Sequence, residues 1–388
     1  MSPTDTGAPV THWPSIGRIT RAEALCVGLR MREPFVTPVG SLTQKDALLV
    51  RLTTDDGVVG YGESGALPTP SYSPEYIETA WDALTRFILP ALAGQSFSTI
   101  DDVTAGWAWM RGHNFAKVAP EAACWHILAQ RTGQPLRALW GGERQRIEVG
   151  AVLGIAPTSR KLLAGVEQAL AQGYRRIKIK IAPGADVAPV AAIRRRFGAI
   201  TLMADANSTY TLGDLSILQQ LDEYSLLMIE QPLGPDDIID HAQLQARLKT
   251  PICLDESILT LDDARQAIAL GACHIINVKP PRVGGFGAAL RIAEYAYEQG
   301  IGVWCGGMFE TGIGKAFNAQ LCAVSAFTLP ADNPGTHSYY ECDLLMPDDP
   351  ICVDADSHIT LPNAPGLGWR IDEAAIERLT TRRAVFEA

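Results

Sequence analysis

The sequence predicts an α/β fold: a (β/α)8-type, TIM-like barrel of modified form, with an α+β capping domain on its N-terminal side that the C-terminal segment completes. Three observations carry this. Five ionic residues, Lys180, Asp205, Glu230, Asp255 and Lys279, follow one another at steps of 25, 25, 25 and 24 residues. Each falls at the end of a short aliphatic or β-branched run: RIKIK at 176–180, MADAN at 203–207, MIEQP at 228–232, CLDE at 253–256 and INVKP at 276–280. Each run is followed by a turn and then helical periodicity, as over 212–221 and 261–270, with no hairpin signal between them. Such a repeat is a βα unit, and seven or eight of them close a barrel whose chemistry sits at the C-terminal ends of the strands.

The elements follow in order. Residues 1–16, rich in Thr, Pro and Gly, read as a flexible tail. Residues 17–140 read as the capping domain, with strands over 22–31 and 46–53. The stretch 34–41 between them mixes Gly, Pro, Ser and one Phe, the composition of a mobile cover. The turn Asp55-Asp56-Gly57 leads to a strand over 58–63, a second Pro-rich loop spans 67–74, and helices are predicted over 75–87 and 120–129, Pro120 being tolerated in a first turn. The barrel is assigned to 141–362, with a first strand at 147–153, a second at 175–181, a seventh at 302–307 and a last near 326–332. Residues 363–388 are too short for a domain and are expected to return to the capping unit.

Composition narrows the function. The 388 residues are 47% hydrophobic, enough for a sizeable core, and carry a net charge of -10 with no basic block longer than Arg194-Arg195-Arg196. A nucleic-acid partner is therefore not expected, whereas a small anionic substrate is, because local charge decides that. Eight cysteines form no CxxC pair, and several lie in apolar runs, as reduced buried thiols do. The N-terminus lacks an apolar leader core and no long uncharged apolar run occurs, so a cytoplasmic protein without a membrane partner is expected. A homo-oligomer is the expected assembly.

Three carboxylates on consecutive strands converge on one mouth, a costly arrangement unless a cation joins them. An all-oxygen set of Asp205, Glu230 and Asp255 suits Mg2+ or Mn2+ and, lacking His or Cys, argues against zinc. Lys178 and Lys180 are two apart and share a strand face, so their ammonium groups should depress each other's pKa and make a base near neutrality. Lys279 lies across the acids. A metal-held substrate carboxylate would then present its α-carbon between two lysines, and the cation would stabilise the enediolate left by proton removal.

These residues resemble the enolase superfamily, in which a Lys or His base works beside Mg2+, and within it the muconate-cycloisomerase-like branch. ALPTPSYSPEY at 66–76, VKPPRVGG at 278–285 and VWCGGMFETG at 303–312 resemble o-succinylbenzoate synthases that include N-succinylamino-acid racemases. The resemblance implies Asp205, Glu230 and Asp255 as ligands of Mg2+ (or Mn2+), Lys180 as general base, Lys178 as its electrostatic neighbour and Lys279 as the opposite acid/base or cation. It implies Asn207 beside the metal or substrate, Gly307, Met308 and Phe309 along the substrate tail with backbone N–H groups suited to a succinyl carboxylate, and Arg282 tuning Lys279. Pro281, Val152 and the stretch 332–340 depart from the family's pattern.

The activity implied first is metal-dependent dehydration of 2-succinyl-6-hydroxy-2,4-cyclohexadiene-1-carboxylate, which feeds menaquinone synthesis. N-succinylamino-acid racemisation by two-base proton transfer is the alternative, alone or alongside it. Muconate cycloisomerisation and dipeptide epimerisation rank below, the latter because no Asp-x-Asp stands at Asp332. A non-catalytic binding barrel is the rival of another class, disfavoured by the complete lysine and carboxylate set. Gly284–Gly287 reads as a turn before a helix, and His113, His126 and His274 as structural or surface groups.

Overall fold

The computed structural model describes residues 13–388, so 1–12 of the tail expected at 1–16 lie outside the described residues, while Trp13 packs edge-on against Trp125 and Ile16 is buried. Four strands begin the chain: β1 (Gly17–Thr37), β2 (Gly40–Thr54), β3 (Val59–Glu63) and the short β4 (Ser96–Phe97), which pairs with the start of β1. The first three form an antiparallel meander whose buried face is Ala, Leu, Ile and Val.

Helix Asn114–Thr132 packs on β3 through two glycines. A Cβ on Gly60 or Gly62 would stand 2.2 Å from the Ala123 carbonyl oxygen or 2.0 Å from that of Ala119, so only glycine permits this approach. Pro120 lies inside this helix, which begins at Asn114, earlier than the Ala-rich run 120–129 indicates.

The stretch 34–41, read from composition as a mobile cover, is instead the tip of a β-ribbon. Phe35 pairs with Leu42 and Val36 with Ser41 around the turn 37–40, after a register shift between Arg30 and Phe35. Ladder hydrogen bonds reach past both prolines because Pro34 falls at the irregularity and Pro38 in the turn, where neither must donate.

The next strands in the chain are β5 (Arg146–Glu148), β6 (Gly150–Leu153), β7 (Arg176–Lys180), β8 (Thr201–Asp205), β9 (Ile229–Glu230), β10 (Ile252–Leu254), β11 (Ile275–Val278) and β12 (Gly302–Cys305). β6 to β12 make one parallel sheet of seven in sequence order. The gap between β12 and β6 is bridged by 328–332. Leu329 and Asp332 donate to Val303 and Cys305 on one side, while Ala331 exchanges hydrogen bonds with Glu148 and Gly150 on the other.

The predicted first strand 147–153 divides at Val149. Its first part, β5, pairs antiparallel with β13 (His358–Thr360) outside the barrel. Met203, Met228, Cys253, Ile275 and Trp304 fill the barrel's lower interior as a cluster of their own.

The C-terminal segment returns to the capping unit through helix Glu373–Leu379 and β14 (Thr380–Glu387), which pairs antiparallel with β1. Among the described residues, no helix is long and apolar enough to cross a membrane.

Candidate active site

Strand register builds the site. Lys180 pairs with Asp205 and Asp205 with Glu230, while Glu230 pairs with Cys253, two residues before Asp255. The period-2 pleat therefore turns all three acids to the same face of the sheet, toward the barrel axis. All three are fully or almost fully buried.

The lysines meet them directly. Lys178 Nζ lies 2.9 Å from Asp205, 2.6 Å from Glu230 and 2.9 Å from Asp332. Lys180 Nζ donates to Asp205 Oδ2 at 2.7 Å and to Asn207 Oδ1 at 2.8 Å. On the opposite side Lys279 Nζ donates to Asp255 Oδ2 at 2.8 Å, and the Arg282 guanidinium clasps Asp255 Oδ1. Gly306 makes room for Lys279, since a Cβ there would stand 2.6 Å from the lysine Cε.

The charges are strongly perturbed. Burial raises the Glu230 carboxyl, the Asp205 charge raises it further, and together they bring it to about 8 despite Lys178. Burial also opposes ionisation of Asp255, but Lys279 and Arg282 outweigh it and bring that carboxyl down to about 2. Lys178 corrects the sequence expectation: burial would lower its pKa, but Asp205, Asp332 and Glu230 hold it well above the ordinary lysine value. Strand spacing puts the neighbouring ammonium in view, whereas the three contacting carboxylates are brought in by the fold. Lys279 is likewise raised, its burial offset chiefly by Asp255.

Among the described residues, no three acidic, His or Cys side chains stand close enough to enclose an ion as placed; the acids face ammonium groups instead. The set nevertheless suits a hard divalent cation. Three buried carboxylates come from neighbouring strands, and Glu230 Oε2 meets Lys178 without hydrogen-bond geometry. The Glu256 carboxyl, raised by burial and Asp255, leaves Oε2 without a hydrogen-bond partner. Added positive charge would relieve these acids, and all-oxygen donors favour Mg2+ or Mn2+.

A cavity of about 310 Å³ opens between the barrel mouth and the capping loops. Lys178, Lys180, Asn207, Lys279, Gly307, Met308 and Phe309 all line it, whereas Asp205, Glu230 and Asp255 lie behind the lysines and Arg282 is buried beyond Lys279. Asn207 sits in the turn after β8, with φ +42°. The Met308 amide donates to Glu310 Oε2 at 2.8 Å.

Sequence reasoning missed Tyr72. It comes from the Pro-rich loop, donates to Asp255 Oδ1 at 2.9 Å and lies under Lys279, whose Nζ is 4.5 Å from the ring centroid. It also missed Asp332, which pairs with both Arg176 and Lys178. Carrying the strand spacing on past Lys279 leads to Cys305 and then to Asp332 at the last stave, a signal that could have found it.

A family model described as enolase C-terminal domain-like matches residues 161–375, and one described as mandelate racemase / muconate lactonizing enzyme, N-terminal domain, matches 19–141. The chain is 45% identical over 358 residues to an o-succinylbenzoate synthase of Geobacillus kaustophilus, covering 92% of this chain and 95% of that one. It is 40% identical over 367 residues to an N-succinylamino acid racemase of an Amycolatopsis species, covering 94% and 98%. Among solved structures, an enolase-superfamily member from Listeria innocua superposes with a TM-score of 0.90 at 36% identity, covering 95% of this chain and 99% of that one. A muconate lactonizing enzyme from Pseudomonas fluorescens gives 0.88 at 27% identity, covering 94% and 100%.

Proposed function

This chain belongs to the enolase superfamily, and from that premise we propose that it is an o-succinylbenzoate synthase, dehydrating 2-succinyl-6-hydroxy-2,4-cyclohexadiene-1-carboxylate. The observation that carries the reading is the pair of ammonium groups, Lys180 and Lys279, lining one cavity from opposite sides and each bonded to a different buried acid. A carbon acid lying between them meets a base on one face and a cation on the other.

Asp205, Glu230 and Asp255 would hold a divalent cation, Mg2+ in this reading, which supplies Lewis-acid stabilisation of the charge that α-proton removal places on the substrate carboxylate. Lys180 Nζ takes the α-proton once its ammonium has lost a proton to solvent. Lys279 Nζ, fixed by Asp255 and Tyr72, stabilises the anion from the opposite face. The hydroxyl then departs as water with the proton that Lys180 accepted, leaving the aromatic ring. Lys178, held by three carboxylates, keeps Asp205 and Glu230 in place. Asn207 steadies Lys180, and Arg282 fixes Asp255 and so Lys279.

A second reading is favoured by the same two lysines. Proton return by Lys279 instead of loss of hydroxide would racemise an N-succinylamino acid, so both activities fit one site. The reading takes the cytoplasm as the compartment and a homo-oligomer as the assembly; all eight cysteines are free thiols, which suits a reducing compartment.

The test offers purified protein with Mg2+ the cyclohexadiene acid and N-succinylamino acids separately, following dehydration by absorbance and α-hydrogen exchange in D2O. Dehydration with kcat/KM at least equal to that for exchange is expected. Exchange without dehydration would leave the racemase reading, and neither would remove both.

A further inference from the structure

Behind the cavity wall lies a lysine that the proton chemistry does not use. Lys45, on β2 of the cap, is fully buried and does not itself line the cavity. Its Nζ donates to two backbone carbonyls from segments far apart in the chain, Ala66 at 2.7 Å and Met308 at 3.3 Å. Burial lowers its pKa, and the charges of Glu63, Glu310 and Asp46 offset part of that loss. Acids on both sides of the junction between cap and barrel thus help keep the cation inside, while its hydrogen bonds go to main chain.

The two carbonyls belong to two loops that enclose the site, and neither residue lies in a strand or helix. Ala66 opens the Pro-rich loop, whose base is closed by the Ile77 amide donating to the Leu67 carbonyl at 2.9 Å. From that loop the Tyr72 hydroxyl donates to Asp255 and accepts from Lys279 and Arg282. Met308 stands between Gly307 and Phe309 in the loop after β12, and all three face the cavity. The flanking residues dock closely as well. Glu63 accepts from the Thr311 and Gly314 amides, each at 3.0 Å, and Gly65, at φ +71°, leaves room for Pro281, whose Cγ would stand 2.7 Å from a Cβ there. Lys45 reaches both loops with one atom, which makes their positions interdependent.

We propose that Lys45 is a positioning residue: it ties the loop carrying Tyr72 to the loop carrying Met308 and Phe309, and through Tyr72 it sets the place of Lys279 at the reacting carbon. The inference rests on the reading of the site as acting on a carbon acid and adds what holds its two covering loops in register. Lys45 touches no substrate and acts only through the main chain it holds.

The test pairs kinetics with amide protection in wild type, Lys45→Met, Lys45→Arg, Tyr72→Phe and the Lys45→Met/Tyr72→Phe double variant. Lys45→Met keeps an unbranched side chain and removes the ammonium. It should lower kcat of the wild type's reaction, dehydration or α-hydrogen exchange, by about 10-fold, the range of a hydrogen bond to a charged group, with recovery in Lys45→Arg. On the Tyr72→Phe background the same change should cost less than about twofold, because both act through one contact. A second full loss of about 10-fold there would make Lys45 merely structural and overturn the proposal.

Amide protection reads the loops without any substrate. In Lys45→Met the amides of 66–77 and of 306–312 should both lose protection by about 10-fold, while those of β7 to β11 keep theirs; loss in one loop alone, or in neither, overturns the proposal. Should Lys45→Met fail to fold, the wild type decides. With rising denaturant the Tyr76 and Ile77 amides should open with the same free energy and slope as those of Met308 and Thr311, and distinct values would overturn the proposal. Wild type that neither dehydrates nor exchanges any substrate removes the reaction, and the amide data then decide the tie between the loops by themselves.

Discussion

Lys180 is the residue on which proton transfer depends, and its isolation from other tasks makes it testable. Lys180→Ala should lower α-proton exchange by about 10^2- to 10^4-fold, the usual weight of a general base, while calorimetry still records binding of a divalent cation; retained turnover would remove Lys180 from the role. Tyr72→Phe removes a hydroxyl shared by Asp255, Lys279 and Arg282. A fall in kcat of about tenfold is expected, in the range of a lost hydrogen bond to charged groups, and an unchanged kcat would reduce Tyr72 to a lining residue. Lys180, Asp205, Glu230, Asp255 and Lys279 were legible because each ends a strand-like run at a fixed interval. Tyr72 and Lys45 were not, since one comes from an irregular loop and the other sits in a polar run, 43–46, that looks solvent-facing in sequence.

At the scale of elements, helix Asn114–Thr132 ties the capping unit to the helical turn Pro280–Val283, which Lys279 precedes and which carries Arg282. Asn114 Nδ2 donates to the Arg282 carbonyl at 2.8 Å, and Glu121 Oε1 accepts from the Gly287 amide at 2.8 Å and from Trp125 Nε1. Burial pushes the Glu121 carboxyl up to about 7, against those hydrogen bonds. The unfolded chain releases this proton near pH 4.5 and the folded one only near 7, so stability is unaffected below the lower value and falls across the interval. Over that window wild type should lose about 3 kcal/mol relative to Glu121→Gln, read from denaturant midpoints; parallel pH profiles would contradict this. Gly62→Ala places a methyl against the Ala119 carbonyl and should cost about 1–3 kcal/mol by overpacking, seen as a lower Tm. The helices and parallel strands were readable from periodicity. The ribbon at 34–41 was hidden by its prolines, and β14 by the alternation of a half-exposed strand containing Arg382 and Arg383.

The whole molecule joins a barrel that collects acids to a cap that covers them, the last strand, β14, pairing with the first, β1. A barrel and cap were foreseeable because a repeated spacing reports on connectivity. How β5 leaves the barrel to pair with β13 depends on a contact between distant segments, which no local pattern records. A cation bound only by the folded barrel should stabilise it by about 2.7 kcal/mol at a hundredfold excess over Kd, so Mg2+ should raise Tm and a chelator reverse the rise. The central claim is that Asp205, Glu230 and Asp255 share one divalent ion beneath the two lysines. Anomalous diffraction from crystals soaked in Mn2+ measures this directly: the account predicts one peak bounded by those three carboxylates, and a peak held by other residues, or none at saturating Mn2+, would contradict it.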